Sequence, residues 1–201
     1  MENATGYRRS AGSARGETRR RELLARITDD VAENGLVDFS LRRAARSAGT
    51  THKVLLYHFE SAEDLLRQVV FSLRERRIGN ALTAVAASSS SLADRVRAAW
   101  VSLRDEESEL RRVLDQAMGL AMYDPGRYAA LGRGASQQYL PTLLSFCPPD
   151  WPEQRKFEVA SMILATLRGF LVDLLTSQDG DGAAAGFEAL LRAVEREEAA
   201  S

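Results

Sequence analysis

The 201-residue sequence predicts an all-α fold, and three observations carry that prediction. Apolar residues recur every three or four positions through most of the chain. No segment alternates apolar and polar residues as a half-buried strand does. Glycine, proline or serine stands where one helical period stops and the next begins. Hydrophobic residues make up 45% of the chain, enough for a substantial core. The expected organisation is an N-terminal helix-turn-helix domain of three helices followed by a C-terminal helical bundle.

Residues 1–16 hold Gly6, Gly12, Gly16, Ser10 and Ser13 with almost nothing to bury, so a disordered arm is expected there. The arm and the turn that follows it are basic: Arg8, Arg9, Arg15, Arg19, Arg20 and Arg21 are opposed only by Glu2 and Glu17. Leu23, Ile27 and Val31 step by four with Leu24 beside them, which predicts a first helix over about 17–34 that stops at Gly35. A second helix is expected from Leu41 to about Ala48, with Ser40 as its N-cap and Ala44, Ala45 and Ala48 allowing close packing. Gly49 makes the turn and Thr51 caps a short third helix.

Placing Thr50 at zero on a wheel of about 100° per residue puts Leu55 near 140° and Phe59 near 180°. These two should anchor the third helix in the core, leaving Lys53, Tyr57, Val54 and His58 on the opposite arc. Ser61 is positioned to cap a fourth helix whose buried face is Leu65, Leu66, Val69, Val70 and Leu73. The helix-turn-helix domain is therefore placed at 17–60, a connecting helix at 61–80 and a rear domain at 81–201.

Ser88 to Ser91 interrupt the pattern. Beyond them Leu92, Val96, Trp100 and Leu103 form one stripe, Leu110, Val113, Leu114, Ala117 and Met118 a second, and Leu131, Ala135, Tyr139 and Leu143 a third, with Pro125 in the first turn of that third segment. After the loop Cys147 to Pro152, the residues Phe157, Ala160, Leu164, Leu167, Leu171 and Leu174 step by threes and fours like an a/d seam. A Gly/Asp-rich loop, Ser177 to Gly182, leads to a last helix carrying Phe187, Leu190, Leu191 and Val194.

Net charge is −1, but it is unevenly spread: residues 1–78 carry 15 Lys/Arg against 11 Asp/Glu, and the remainder carries 12 against 17. The front half suits a polyanion and the rear half does not. A single cysteine, Cys147, excludes an internal disulfide framework, and no Cys/His spacing suits zinc. No apolar run is expected to reach the roughly 18–20 residues of a membrane span. A cytoplasmic protein with no membrane partner is the resulting expectation. Gly-rich phosphate loops, nucleophile elbows, His-x-x-x-His pairs and Cys-x-x-Cys motifs are missing from the sequence, so neither catalysis nor a cofactor is expected. His52 and His58 lie six residues apart, about 240° around a helix, so one metal ion cannot easily take both.

The third helix offers groups suited to a DNA groove. Lys53 can neutralise a phosphate or reach guanine, Tyr57 and the Thr50 and Thr51 hydroxyls can hold phosphate oxygens, and Val54 methyls can meet a thymine methyl. The amides at the helix start attract phosphate as well.

The segment Gly49-Thr50-Thr51-His52-Lys53-Val54-Leu55-Leu56-Tyr57-His58-Phe59, followed by Ser61-Ala62-Glu63-Asp64-Leu65-Leu66, resembles the TetR family of bacterial one-component transcriptional regulators. The likeness is strongest over about 18–75. It departs from the common pattern at Thr50, Leu56 and Ala62. The resemblance implies contact with the major groove of a palindromic operator through Ser40, Thr50, Thr51, His52, Lys53, Tyr57 and His58, with repression as the family default. It further implies a homodimer built on the last two long helices, here Leu164, Leu167, Leu171, Leu174, Phe187, Leu190, Leu191 and Val194. The Phe157–Leu175 segment agrees, because Val159, Met162, Ile163 and Phe170 are apolar at other angles and need cover on a second side. Finally, it implies a small-molecule effector that shifts the population away from the DNA-binding conformation. Trp100, Met118, Met122, Tyr123, Tyr139 and Phe170 are the candidate lining residues, with Gln137 or Gln138 as polar contacts. A regulator without a ligand and an all-α interaction scaffold remain alternatives.

Overall fold

The computed structural model describes residues 13–87, 91–106, 108–177 and 179–200, and among these it holds nine α-helices and no strand. Most of the expected arm, residues 1–12, lies outside the described residues. The helices are α1 (Ala14–Asn34), α2 (Leu41–Ser47), α3 (His52–His58), α4 (Ala62–Ala86), α5 (Leu92–Arg104), α6 (Ser108–Tyr123), α7 (Pro125–Phe146), α8 (Glu153–Thr176) and α9 (Gly180–Ala199). The first helix starts before its apolar period does. Ser13 supplies the reason: its hydroxyl accepts the Gly16 amide at 3.1 Å and captures one orphan donor of the first turn. At the other end Gly35 takes φ 74° and returns its N–H to the Val31 carbonyl.

The chain divides into two compact units, and the division does not follow chain order. The first takes residues up to Leu73 together with Ser108–Gly132; the second takes Arg74–Glu107 and everything from Arg133. The boundaries expected at 60 and 80 are thus crossed, and α4 and α7 each contribute to both units.

In the first unit, Leu23, Ile27 and Val31 of α1 meet Ala44, Ala45 and Ala48 of α2, Leu55 and Phe59 of α3, and Leu65, Val69 and Val70 of α4. Leu110, Val113, Leu114 and Ala117 of α6 complete this core. A three-helix front domain cannot close by itself here, because the stripe on α6 covers the side of α1 that the helix-turn-helix leaves bare. Gln116 adds a polar tie, its side-chain oxygen accepting the Leu36 amide at 2.9 Å. A Cβ on Gly35 would come within 3.2 Å of that same oxygen, so the tight approach adds to the positive φ in favouring glycine.

The second unit is built on α8. Its buried residues Val159, Ala160, Ile163, Leu167 and Leu171 pack with Phe187, Leu190, Leu191 and Val194 of α9 and with Leu92, Val96 and Trp100 of α5. Trp100 stacks on Phe187 with ring centroids 5.1 Å apart, and Phe170 meets Trp100 edge-on at 5.9 Å. Glu198 folds back onto the start of α5, its carboxylate accepting the Leu92 and Ala93 amides at 2.6 and 3.3 Å, where negative charge is favoured. Arg77 and Glu106 form a buried two-pronged ion pair with a shortest distance of 2.6 Å.

One helix stands apart in composition. By length and apolar content α8 passes as a membrane span, with a mean hydropathy of 1.6 over its best window. Arg168 and Asp173 interrupt it, so no unbroken apolar run of that length exists. Phe157, Met162 and Val172 remain exposed on it.

Candidate nucleic-acid interface

Local sequence fixes the helix-turn-helix closely. Ser40 caps α2 by accepting the Arg43 amide at 3.3 Å. Gly49 adopts φ 62°, which only glycine enters without strain, and lets the Thr50 amide return to the Ala45 carbonyl at 2.9 Å. Thr51 opens α3, its Oγ1 accepting the Val54 amide at 3.4 Å. Three arginines lash these short helices to α1. Arg43 donates from Nε to Asp30 Oδ2 at 3.1 Å, Arg26 donates to the Ala48 carbonyl at 3.3 Å, and Arg20 donates from Nε to the His58 carbonyl at 3.2 Å while lying over the Phe59 ring. Ser61 and Asp64 then start α4: Ser61 Oγ accepts the Asp64 amide at 3.0 Å, and Asp64 accepts the Glu60 amide at 3.2 Å.

The two anchors lie where the wheel places them: Leu55 is 0% exposed and Phe59 is 2% exposed. The face left outside is rotated from the expected one by roughly a quarter turn. Ser40, Thr51, His52 and Lys53 are exposed; Thr50, Tyr57 and His58 are half-buried. Val54 is also half-buried and packs against the first core, so its methyls serve the interior rather than the groove. Leu56 takes the outer position instead, 48% exposed. Leu55 and Phe59 pin one side of the helix, Val54 packs against the core and Arg20 of α1 holds the His58 carbonyl, so the arc around Lys53 and Leu56 is the one left outside.

His58 belongs to the protein more than to the surface. Tyr57 stands edge-on to its ring at 4.9 Å, and His58 Nδ1 is buried with no hydrogen-bond partner. Burial, with the positive charges of Arg19 and Arg20 added, holds the imidazole below its usual pKa. The neutral ring therefore offers no cation to a phosphate at pH 7. Two residues absent from the sequence expectation are Arg42 and Arg46, both exposed on α2. Their spacing of four residues, which puts both on one helix face, was the available signal.

The candidate effector residues do not gather in one unit. Trp100, Tyr139 and Phe170 belong to the second, whereas Met118, Met122 and Tyr123 belong to the first. Met122 and Tyr123 are 76% and 88% exposed, because they lie in the last turn of α6, beyond the Leu110 to Ala117 stripe that packs inward. Gln137 is exposed and Gln138 donates to Glu75 at 2.9 Å. The expected dimer seam is also placed elsewhere. Leu167, Leu171, Phe187, Leu190, Leu191 and Val194 are buried in the protomer's own core, and Leu164 and Leu174 pack against it. An a/d seam marks two helices that pair, and here α8 pairs with α9 of the same chain, which uses the six buried side chains inside the protomer and leaves Leu164 and Leu174 half-buried. Among the described residues, no group of three or more His, Cys, Asp or Glu side chains is arranged to hold a metal.

An all-α chain with a helix-turn-helix formed by α2 and α3 near its amino end defines a recognisable class. The TetR-family transcriptional regulator of Cytophaga hutchinsonii superposes with a TM-score of 0.68 at 14% identity, over 91% of this chain and 96% of that one. Salmonella enterica GusR gives 0.63 at 20% identity, over 92% and 96%. The multidrug binding protein EbrR, solved with imidazole, gives 0.65 at 16% identity, over 87% and 89%. The chain has the fold of TetR-family transcriptional regulators. No protein-family model and no curated protein sequence matches it.

Proposed function

We propose that this protein is a DNA-binding transcriptional regulator that acts in the cytoplasm as a dimer on a palindromic operator. One observation carries the reading. A short helix is fastened by Leu55 and Phe59 and turns Thr51, His52, Lys53 and Leu56 outward, beside the exposed Arg42 and Arg46 of α2. Arginine and lysine supply the phosphate attraction that holds such a helix in register, and the hydroxyl and apolar groups supply what can differ between base pairs. Ser40, Thr50 and Tyr57 border this surface and are assigned to phosphate contacts. His58 is assigned a positioning part behind Tyr57.

Dimerisation is supported by the side of α8 that its own unit leaves bare. Met162, Ala165, Gly169 and Val172 follow one another at steps of three and four and are all exposed. A stripe of small and apolar side chains on a long helix permits close approach of a second helix, and a two-fold axis through it would present two recognition helices. EbrR was solved with a small molecule bound, and by analogy the second unit of this chain is assigned to effector binding, with release from the operator as the response.

The deciding experiment is selection of genomic fragments by the purified protein. Enrichment of one palindrome whose half-sites are a helical turn or more apart supports the reading. Uniform recovery of all sequences at matched salt defeats it.

A further inference from the structure

Arg168 lies in the middle of the apolar helix α8 and finds no acid. Its Nη1 donates to Ser136 Oγ of α7 at 3.1 Å, and its guanidinium carbon stands 5.5 Å from the centre of the Tyr139 ring. Its Nη2 is buried and has no hydrogen-bond partner. Among the described residues no Asp or Glu pairs with it. Arg77, whose positive charge adds to the cost of burying Arg168, is itself paired with Glu106. A guanidinium stays charged at any working pH, so a half-buried one without a counter-ion is held at a cost that a bound anion would remove.

We propose that Arg168 anchors the carboxylate of a small organic acid, which is the effector of this protein. A planar group of single negative charge matches the two nitrogens of one guanidinium fork, with Nη2 supplying the donor that the protein leaves unused. The Ser136 hydroxyl can turn its proton toward the same carboxylate while still accepting from Nη1. The face of Tyr139 closes one side of the site. The inference rests on the assignment of the second unit to effector binding and gives that effector a chemical class.

Thermal unfolding without DNA tests it, using hexanoate and benzoate as probes against hexanamide and benzamide, their uncharged isosteres. The expected result is a rise in Tm with at least one acid and none with its amide. Arg168→Gln should weaken that binding about 10- to 100-fold, with Arg168→Lys falling between the two. Ser136→Asp places a carboxylate within reach of Nη1; it should raise Tm without ligand and abolish the response to the acid. Equal responses to acid and amide, an undiminished response in Arg168→Gln, or no response to either acid overturns the proposal. Failure here with a palindrome still selected condemns the anion site alone, whereas acid binding without DNA selection condemns the regulator reading alone.

Discussion

Leu55 and Leu56 are chemically identical neighbours with opposite assignments, and exchanging each for alanine separates anchoring from reading. Leu55 is 0% exposed at the junction of α1, α2 and α4, so Leu55→Ala removes fully packed methyl groups and leaves a cavity in the first core. The expected cost is about 3 kcal/mol, within the range for buried leucine truncation. Leu56 is 48% exposed, and Leu56→Ala should change stability by no more than about 0.5 kcal/mol. Its effect falls on the complex: if its methyls are covered by a base pair, loss of about 1 kcal/mol weakens operator binding roughly fivefold at fixed salt. Urea titration followed by circular dichroism reads the first quantity, and fluorescence anisotropy on the selected operator reads the second. Equal destabilisation by the two changes, or a larger one from Leu56→Ala, would refute the rotation assigned to α3.

Four further outcomes follow from the same geometry. Replacing Arg42 and Arg46 together by alanine should make the plot of log affinity against log salt shallower by about 0.9 for each phosphate no longer neutralised, with little change in sequence preference. Gly49→Ala forces a side chain into φ 62° and should lower stability by more than about 1 kcal/mol, read as a fall in urea midpoint at constant slope. If the proposed dimer forms through the bare side of α8, Val172→Glu should convert it to monomer in light scattering while helical content is kept; a persistent dimer would place the interface elsewhere. His58 is held below its unfolded pKa, so the unfolded chain binds the extra proton first as pH falls. Its contribution is intact above about 6.5 and is lost as pH drops through the folded value, and a His58→Gln variant should show a flatter Tm profile over that window.

The helix count, the caps and the core faces were legible because each rests on local chemistry. Ser40, Gly49, Thr51 and Ser61 act on amides and carbonyls close to them in the chain, and the stripes from Leu23 to Val31 and from Leu65 to Leu73 need only a helical period. What escaped depends on partners distant in the chain. The face that α3 leaves outside is set by the core it packs on, which takes Val54 in and leaves Leu56 out. The seam on α8 reads the same whether it meets another subunit or α9, and only the fold shows that it meets α9. Met122 and Tyr123 keep a helical spacing after Met118, yet the last turn of α6 has nothing to pack on. Arg168 gave no signal at all, since one arginine in an apolar helix becomes unusual only when its surroundings are known.

The interleaving of the two units carries a consequence for synthesis and for dissection. Because α6 seals Leu23, Ile27 and Val31, the helix-turn-helix stays open on one side until about residue 132 has left the ribosome, well after its own last residue has emerged. A fragment truncated after α4 would expose that apolar flank to aggregation. A minimal fragment that keeps the first unit closed must therefore splice residues 13–73 to 108–132.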